Sequence, residues 1–355
     1  MNSLFAATLF MQYYDYTMDG AWLKETGYPF LDKVANFYLA WCEKDATDEG
    51  YVYHLYDGAH EEYFGKDAGV SLGLTKSLMG FLLETVSVTG ASAEKVSAWK
   101  DLYDHLAPVP TVEYTFKNGE TKTIYALNAD WKNRDAGYED VPGIRPLSAC
   151  VELEFVMPGM LLGFGSDPRE LEIARNTVAA KIDANPSIWA QNNNTVKMFV
   201  QAALVGYDPS EILSVFKTYQ LTSMKDNFVI QDGYHGLEKV GWTEMLHAML
   251  LQNFRGVTKL FANWTGEDAS FEKLRVKGAF LVSAEMKNGT ATFAEIESEA
   301  GGRFSLILPQ GWRDMEVFDE DGDKVSVEIS ETEHTGEKIF SWHTEAGKSY
   351  IAAKK

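Results

Sequence analysis

A mostly helical domain followed by an antiparallel β-sandwich is the fold this sequence predicts, and three observations predict it. From about residue 4 to 265, apolar residues recur at helical spacing. After about residue 270 the spacing drops to two, with Asn-Gly and Asp-Gly pairs between the runs. At 355 residues the chain has room for about two domains. The expected division is a helical unit over 1–268, with a small β-hairpin inserted near 111–127, and a β-sandwich over 269–355.

The elements follow in order. Phe30, Val34, Phe37, Tyr38 and Trp41 fall at helical offsets and predict one apolar face, and Pro29 suits the first turn of that helix. Leu74, Leu78, Phe81 and Leu82 repeat the spacing. "DPRE" at 167–170 and "DPSE" at 208–211 each offer an Asp cap, a Pro at the first helical position and a Glu at the third. Helices should continue to "GWTEMLHAMLLQNF" (241–254), about nine or ten in all. "TVEYTFKNGETKTIYAL" (111–127) alternates around Asn118-Gly119, a hairpin signal. Beyond 270, "RFSLILP", "MEVFDEDGDKVSVEIS" and "KIFSWHT" read as short strands, with "DEDGD" (319–323) as a hairpin turn and not a calcium loop.

Composition narrows the function. A formal charge of −20 argues against nucleic acid or an anionic membrane as partner, since both need basic patches. Cys42 and Cys150 are the two cysteines, which excludes a disulfide framework; no Cys/His spacing suits zinc, and no metal or cofactor is expected. Aromatic residues make up 13% of the chain, enough to supply stacking faces for sugars as well as a core. The opening "MNSLFAATLFMQYYDYT" lacks a basic start and a cleavage site and reads as the inside of a helix, so the chain is expected to be part of a longer polypeptide.

Helical domains of this size are bundles, solenoids or toroids of helical hairpins, with function in the loops at one end. Four loops are rich in chemistry. "YDGAHEEYFG" (56–65) carries His60, Glu61 and Glu62. "NADWKNRDAGYEDVPG" (128–143) carries Asp130. "NPSIWAQNNNT" (185–195) sets Trp189 beside Asn192, and "DNFVIQDGYHGLEKVG" (226–241) holds Asp232, His235 and Glu238. Glycoside hydrolysis needs two carboxyl groups, one protonating the leaving oxygen and one acting as base or nucleophile. The first and fourth loops could supply that pair. The remaining residues, His60, Glu62, Asp130, Trp189, Asn192 and His235, would stack on the sugar or hydrogen-bond it. The alternative for Glu61 and Glu62 is a pair of solvated charges favouring the dipole of the next helix.

"MDGAWLKETGYPFLDKVANFYLAWCEKD" (18–45), "GWTEMLHAMLLQNFRGVTKLFANW" (241–264) and "LRVKGAFLVSAEMKNGTATFAEIES" (274–298) together resemble glycoside hydrolase family 95 and its bacterial relatives. The resemblance implies an (α/α)6 toroid followed by a β domain, and inverting hydrolysis of α-L-fucosides or related sugars. It places the general acid at Glu61. The base falls at Asp232, from the match of "QDG" to the fucosidase motif, or at Glu238, from alignment back from "MLLQ". Two assisting Asn of the family would precede Met1. An inverting pair would stand roughly 6.5–9.5 Å apart. The competing expectation is a catalytically silent, carbohydrate-binding part of a larger glycosidase.

Overall fold

The computed structural model describes residues 2–60, 63–132, 137–147, 150–190, 195–219, 226 and 242–355. The chain opens with α1 (Asn2–Thr17), the single turn α2 (Gly20–Trp22) capped by Asp19 Oδ1 accepting from Trp22 N at 2.9 Å, a π turn (Leu23–Gly27) and α3 (Tyr28–Trp41). Four short strands follow: β1 (Glu43–Thr47), β2 (Gly50–His54), β3 (Tyr56–His60) and β4 (Tyr63–Lys66). β1 pairs with β2, and β3 with β4.

Next come α4 (Gly69–Glu84), α5 (Val86–Thr89) and α6 (Ala93–His105). The expected hairpin is β5 (Thr111–Thr115) and β6 (Thr121–Tyr125), with Asn118 Oδ1 accepting from Glu120 N and Gly119 at φ +88°. α7 (Pro168–Ala184) and α9 (Pro209–Tyr219) start where the two Asp-Pro signals put them. Asp167 accepts from Arg169 N at 2.8 Å, and Asp208 from Ser210 N and Glu211 N. Between them lies α8 (Thr195–Leu204), and α10 (Trp242–Leu250) closes the helical part.

Two features depart from the helical reading. In α3 the buried face is Leu31, Val34, Ala35 and Tyr38, while Phe37 and Trp41 face solvent. The helix carries two apolar stripes about 100° apart, and only one can meet the core. The stretch read as a loop at 56–65 is the β3–β4 hairpin.

The last helix also ends earlier than expected, at Leu250. Residues 251–254 form β7 (Leu251–Phe254), which turns through Arg255 and Gly256, both at positive φ, into β8 (Val257–Leu260). Two positive-φ residues between paired strands make a type I′ turn, which only Gly and a few other residues adopt cheaply.

The remaining strands are β9 (Ala269–Val276), β10 (Phe280–Lys287), β11 (Thr290–Ser298), β12 (Gly302–Ile307), β13 (Met315–Asp319), β14 (Glu328–Glu331), β15 (Lys338–Thr344) and β16 (Lys348–Lys354). Together with β7 and β8 they form two five-stranded sheets, ordered β13-β16-β11-β10-β9 and β14-β15-β12-β8-β7. Alternating residues from both sheets, among them Val282, Ile296, Phe304 and Trp342, bury one shared core. The pairings are antiparallel except one: β8 runs parallel to β12 at Leu306↔Thr258. A parallel neighbour needs a crossover, and the strands of the other sheet supply it. In "DEDGD", Asp319 Oδ1 accepts from Asp321 N and Asp323 N, so that carboxylate closes the turn.

Separate clusters around Leu31, Leu78 and Trp99, and around Val178, Phe199 and Met249, form the helical cores. Among the described residues no helix is long and apolar enough to cross a membrane.

Candidate active site

The β3–β4 hairpin is positioned by groups at its base. Asp67 follows β4 in left-handed backbone (φ +56°), and its buried carboxylate meets His54 Nδ1 at 2.7 Å and accepts from Leu55 N at 3.0 Å. Asp67 N donates to Leu55 O in return, and Gly69 N, at the start of α4, donates to Leu127 O. The hairpin is thereby stapled to both the strand before it and the helix after it.

One face of the hairpin rests on the segment 128–130. Lys66 N donates to Asp130 Oδ1 at 2.9 Å and Ala129 N to Lys66 O at 2.8 Å. A Cβ on Gly65 would sit 1.9 Å from Asn128 Nδ2 and 2.7 Å from Asp130 Oδ1, so the backbone can approach only because residue 65 has no side chain. Asn128 is buried, and its Oδ1 has no hydrogen-bond partner among the described residues. In register, Tyr56 pairs with Lys66, Asp57 with Gly65, Gly58 with Phe64 and His60 with Tyr63. Residues 64 and 66 therefore point away from Asn128 and Asp130, onto the open face.

Of the residues singled out in the sequence, Asp130 is a hairpin anchor through its bond to Lys66 N. His60 is described as the last backbone residue of β3. Trp189 is 2% exposed, its ring 4.7 Å from that of Phe199 inside a helical core, which leaves it no open face for a sugar. Glu61, Glu62, Asn192, Asp232, His235 and Glu238 lie outside the described residues.

Sequence reasoning missed Gly65, Asp67 and Asn128. The signal available was the run "FGKDAG", in which two glycines bracket an aspartate ahead of a helix. It also missed Glu154, a buried carboxylate whose Oε1 accepts from Lys197 Nζ at 2.7 Å while Oε2 has no partner among the described residues. Burial pushes the Glu154 carboxyl above its ordinary range, and Lys197 offsets this in part. Nearby, the fully buried pair Glu152–Lys181 (3.0 Å) ties α7 to the segment after the second loop: Lys181 donates to Arg145 O, and Arg145 N donates to Glu152.

A cavity of about 270 Å³ lies elsewhere. It is lined by the C-terminal halves of α1, α4 and α8, by Glu244, His247 and Ala248 of α10, and by Arg275 and Lys277 at the end of β9. α4 is sixteen residues long, or about 24 Å, with the hairpin at its start and the cavity at its end. The cavity and the hairpin are thus separate places. Lys277 bridges Asp15 (3.4 Å) and Glu84 (2.8 Å) at the cavity wall.

Residues 1–186 match the glycosyl hydrolase family 95 catalytic domain. No curated protein matches the chain. Among solved structures, the "Putative kojibiose phosphorylase from human microbiome" aligns at 11% identity with a TM-score of 0.46, covering 97% of this chain and 50% of that one. An alpha-L-rhamnosidase from Dictyoglumus thermophilum aligns at 11% identity with a TM-score of 0.34, covering 98% of this chain and 39% of that one. The chain spans half the length or less of these two proteins.

Proposed function

The chain belongs to glycosyl hydrolase family 95, and from that premise we propose that it hydrolyses O-glycosidic bonds with inversion, acting on α-L-fucosyl or related residues of oligosaccharides. The observation that carries this reading is the hairpin within the family-matched region. Its strands β3 and β4 flank Glu61-Glu62 in sequence, and its base is fixed by Asp67, by Asp130 and by the close seat of Gly65. A general acid needs that fixity, since a displacement of about 1 Å from the glycosidic oxygen costs on the order of a hundredfold in rate.

In this mechanism Glu61 protonates the leaving oxygen and a second carboxylate draws a proton from the attacking water on the opposite face of the sugar. We assign the base to Glu238, with Asp232 as the competing choice. Glu238 precedes "VGWTEML" and the start of α10, where a helix dipole favours the ionised form that a base needs. Asp232 stands directly before Gly233 in sequence, and a Gly there permits a tight turn.

The helices support a toroid as the scaffold. The C-terminal halves of α1, α4 and α8 and the body of α10 face one cavity, as the inner ring of a set of α-hairpins would, with α3, α7 and α9 as outer members.

The test is hydrolysis of 4-nitrophenyl α-L-fucopyranoside, with the product anomer read by proton NMR. Glu61→Gln should abolish turnover, and Glu238→Gln should lower it by at least ~10²-fold with little change in sugar affinity, as loss of a general base does. If Asp232→Asn gives the larger loss of turnover, Asp232 is the base. If no aryl glycoside is cleaved while sugars still bind, the chain is a binding unit and the glycosidase reading falls.

A further inference from the structure

Four aromatic side chains on the open side of the hairpin are unaccounted for by packing. Phe37 is 51% exposed, Trp41 49%, Tyr56 46% and Phe64 81%. Phe37 and Trp41 lie one turn apart on α3 with ring centroids 5.6 Å apart and planes inclined by 14°. Trp41 Nε1 donates to Tyr56 O at 3.1 Å, which fixes the indole against the base of β3. Tyr56 and Phe64 share the hairpin face opposite Asn128 and Asp130, since their partners in register are Lys66 and Gly58.

The geometry differs from that of core aromatics. The nearest to parallel among the other described ring pairs, Phe10–Phe30, is inclined at 30°, and most are edge-on. Phe37 and Trp41 instead lie nearly parallel, and each is about half exposed. Polar groups border the rings: Lys66 Nζ lies 5.7 Å from the Tyr56 ring centroid, and Asp45 Oδ2 lies 3.9 Å from that ammonium. Flat apolar faces edged by donors and acceptors match a pyranose ring, which has an apolar C–H face and a hydroxyl rim. A strip one ring wide is a poor match for a protein interface, which needs a broad desolvated centre.

We infer that Phe37, Trp41, Tyr56 and Phe64 form an aromatic track that binds successive pyranose units of an oligosaccharide chain entering the hairpin. The inference rests on the glycosidase reading for the reaction itself, and it adds where on the surface the oligosaccharide is held.

The test is native electrophoresis of the full chain through gels containing soluble xyloglucan, galactomannan or dextran, three neutral pyranose polymers. The wild-type chain should be retarded by at least one of them. Trp41→Ala and Phe37→Ala should each weaken that retardation about tenfold, and Trp41→Phe, which keeps a stacking face, should recover most of it. Thermal unfolding of each variant separates loss of binding from loss of fold, and the solvent-exposed Phe37→Ala serves as the second variant should Trp41→Ala be unstable.

If no glycoside is cleaved yet retardation depends on Trp41, the track stands and the glycosidase reading falls. If the polymers do not retard the wild type, or if retardation survives both alanine substitutions, the track is overturned. Light scattering that shows a wild-type dimer dissolved by Trp41→Ala would overturn it in favour of a self-association surface.

Discussion

Asp15, near the end of α1, shows how burial and pairing compete at a single carboxyl. Burial raises its pKa from 3.8 to about 6, and the attraction of Lys277, with which it is paired, only partly opposes this. The groups that face it are Lys277 and Glu84, the second of which also disfavours its charge. A folded pKa above the unfolded one means that the native state holds the extra proton. The associated stability is complete below about pH 3.8 and is lost as pH rises through about 6. The difference amounts to roughly 3 kcal/mol. Asp15→Asn should therefore raise Tm by a few degrees at pH 8, where the wild type bears a buried charge, and leave it unchanged near pH 3.5. Equal shifts at both pH values would show that Asp15 is not the titrating group. Nothing in "MQYYDYT" marks this aspartate, because its burial depends on β9, more than two hundred residues later. Trp189 makes the same point in reverse. A Trp beside amides reads as a sugar platform, yet Phe199, from the following helix, takes its face.

At the scale of elements, what could be read in the sequence was what local chemistry decides. The Asp-Pro starts of α7 and α9 and the Asn-Gly hairpin at 118–119 need only neighbours in the chain, and they form as expected. The β3–β4 hairpin escaped because the residues between its strands in sequence, Glu61-Glu62, include none of the Gly or Asn that usually marks a turn. The exposure of Phe37 and Trp41 escaped because helical periodicity finds apolar stripes without saying which stripe the core takes. The hairpin's anchoring yields a prediction at this scale. Gly65→Ala would drive a methyl into Asn128 and Asp130, so β4 must lift from the 128–130 segment. The hairpin is peripheral to the helical cores, so the cost should fall on catalysis. We expect kcat on an aryl glycoside to drop at least ~10-fold while Tm moves by only a few degrees. Asp130→Ala, which removes the acceptor of Lys66 N, should act in the same direction but less. A Gly65→Ala enzyme with wild-type kcat would show that the hairpin's seat does not position the acid.

At the scale of the whole molecule, the change of period near residue 270 located the sandwich but put its start too late. The reason is physical: α10 runs without a loop into β7, so an apolar run "MLHAMLLQNF" serves first as helix and then as strand. That continuity joins the two halves. Gln252, on β7, donates to Ala203 O of α8 and Ala248 O of α10, and Asn263 Nδ2 donates to Tyr207 O. Lys277 and Arg275 reach from β9 to Glu84 and Tyr16 O, and Gly278 N donates to Asp15 O. Trp264 packs against both the second helical core and the core of the sandwich, with Nε1 donating to Glu267 O. Two cores that share side chains and buried hydrogen bonds lose stability together, so calorimetry of the wild type should give one transition with the van't Hoff and calorimetric enthalpies in agreement. Trp264→Ala removes the side chain common to both cores, at a cost of about 3 kcal/mol, and should split the scan into two transitions. An alanine at Trp312, which lies in the sandwich core alone, should lower Tm and keep a single transition. Two transitions in the wild type, or one in Trp264→Ala, would mean that the shared tryptophan does not couple the halves.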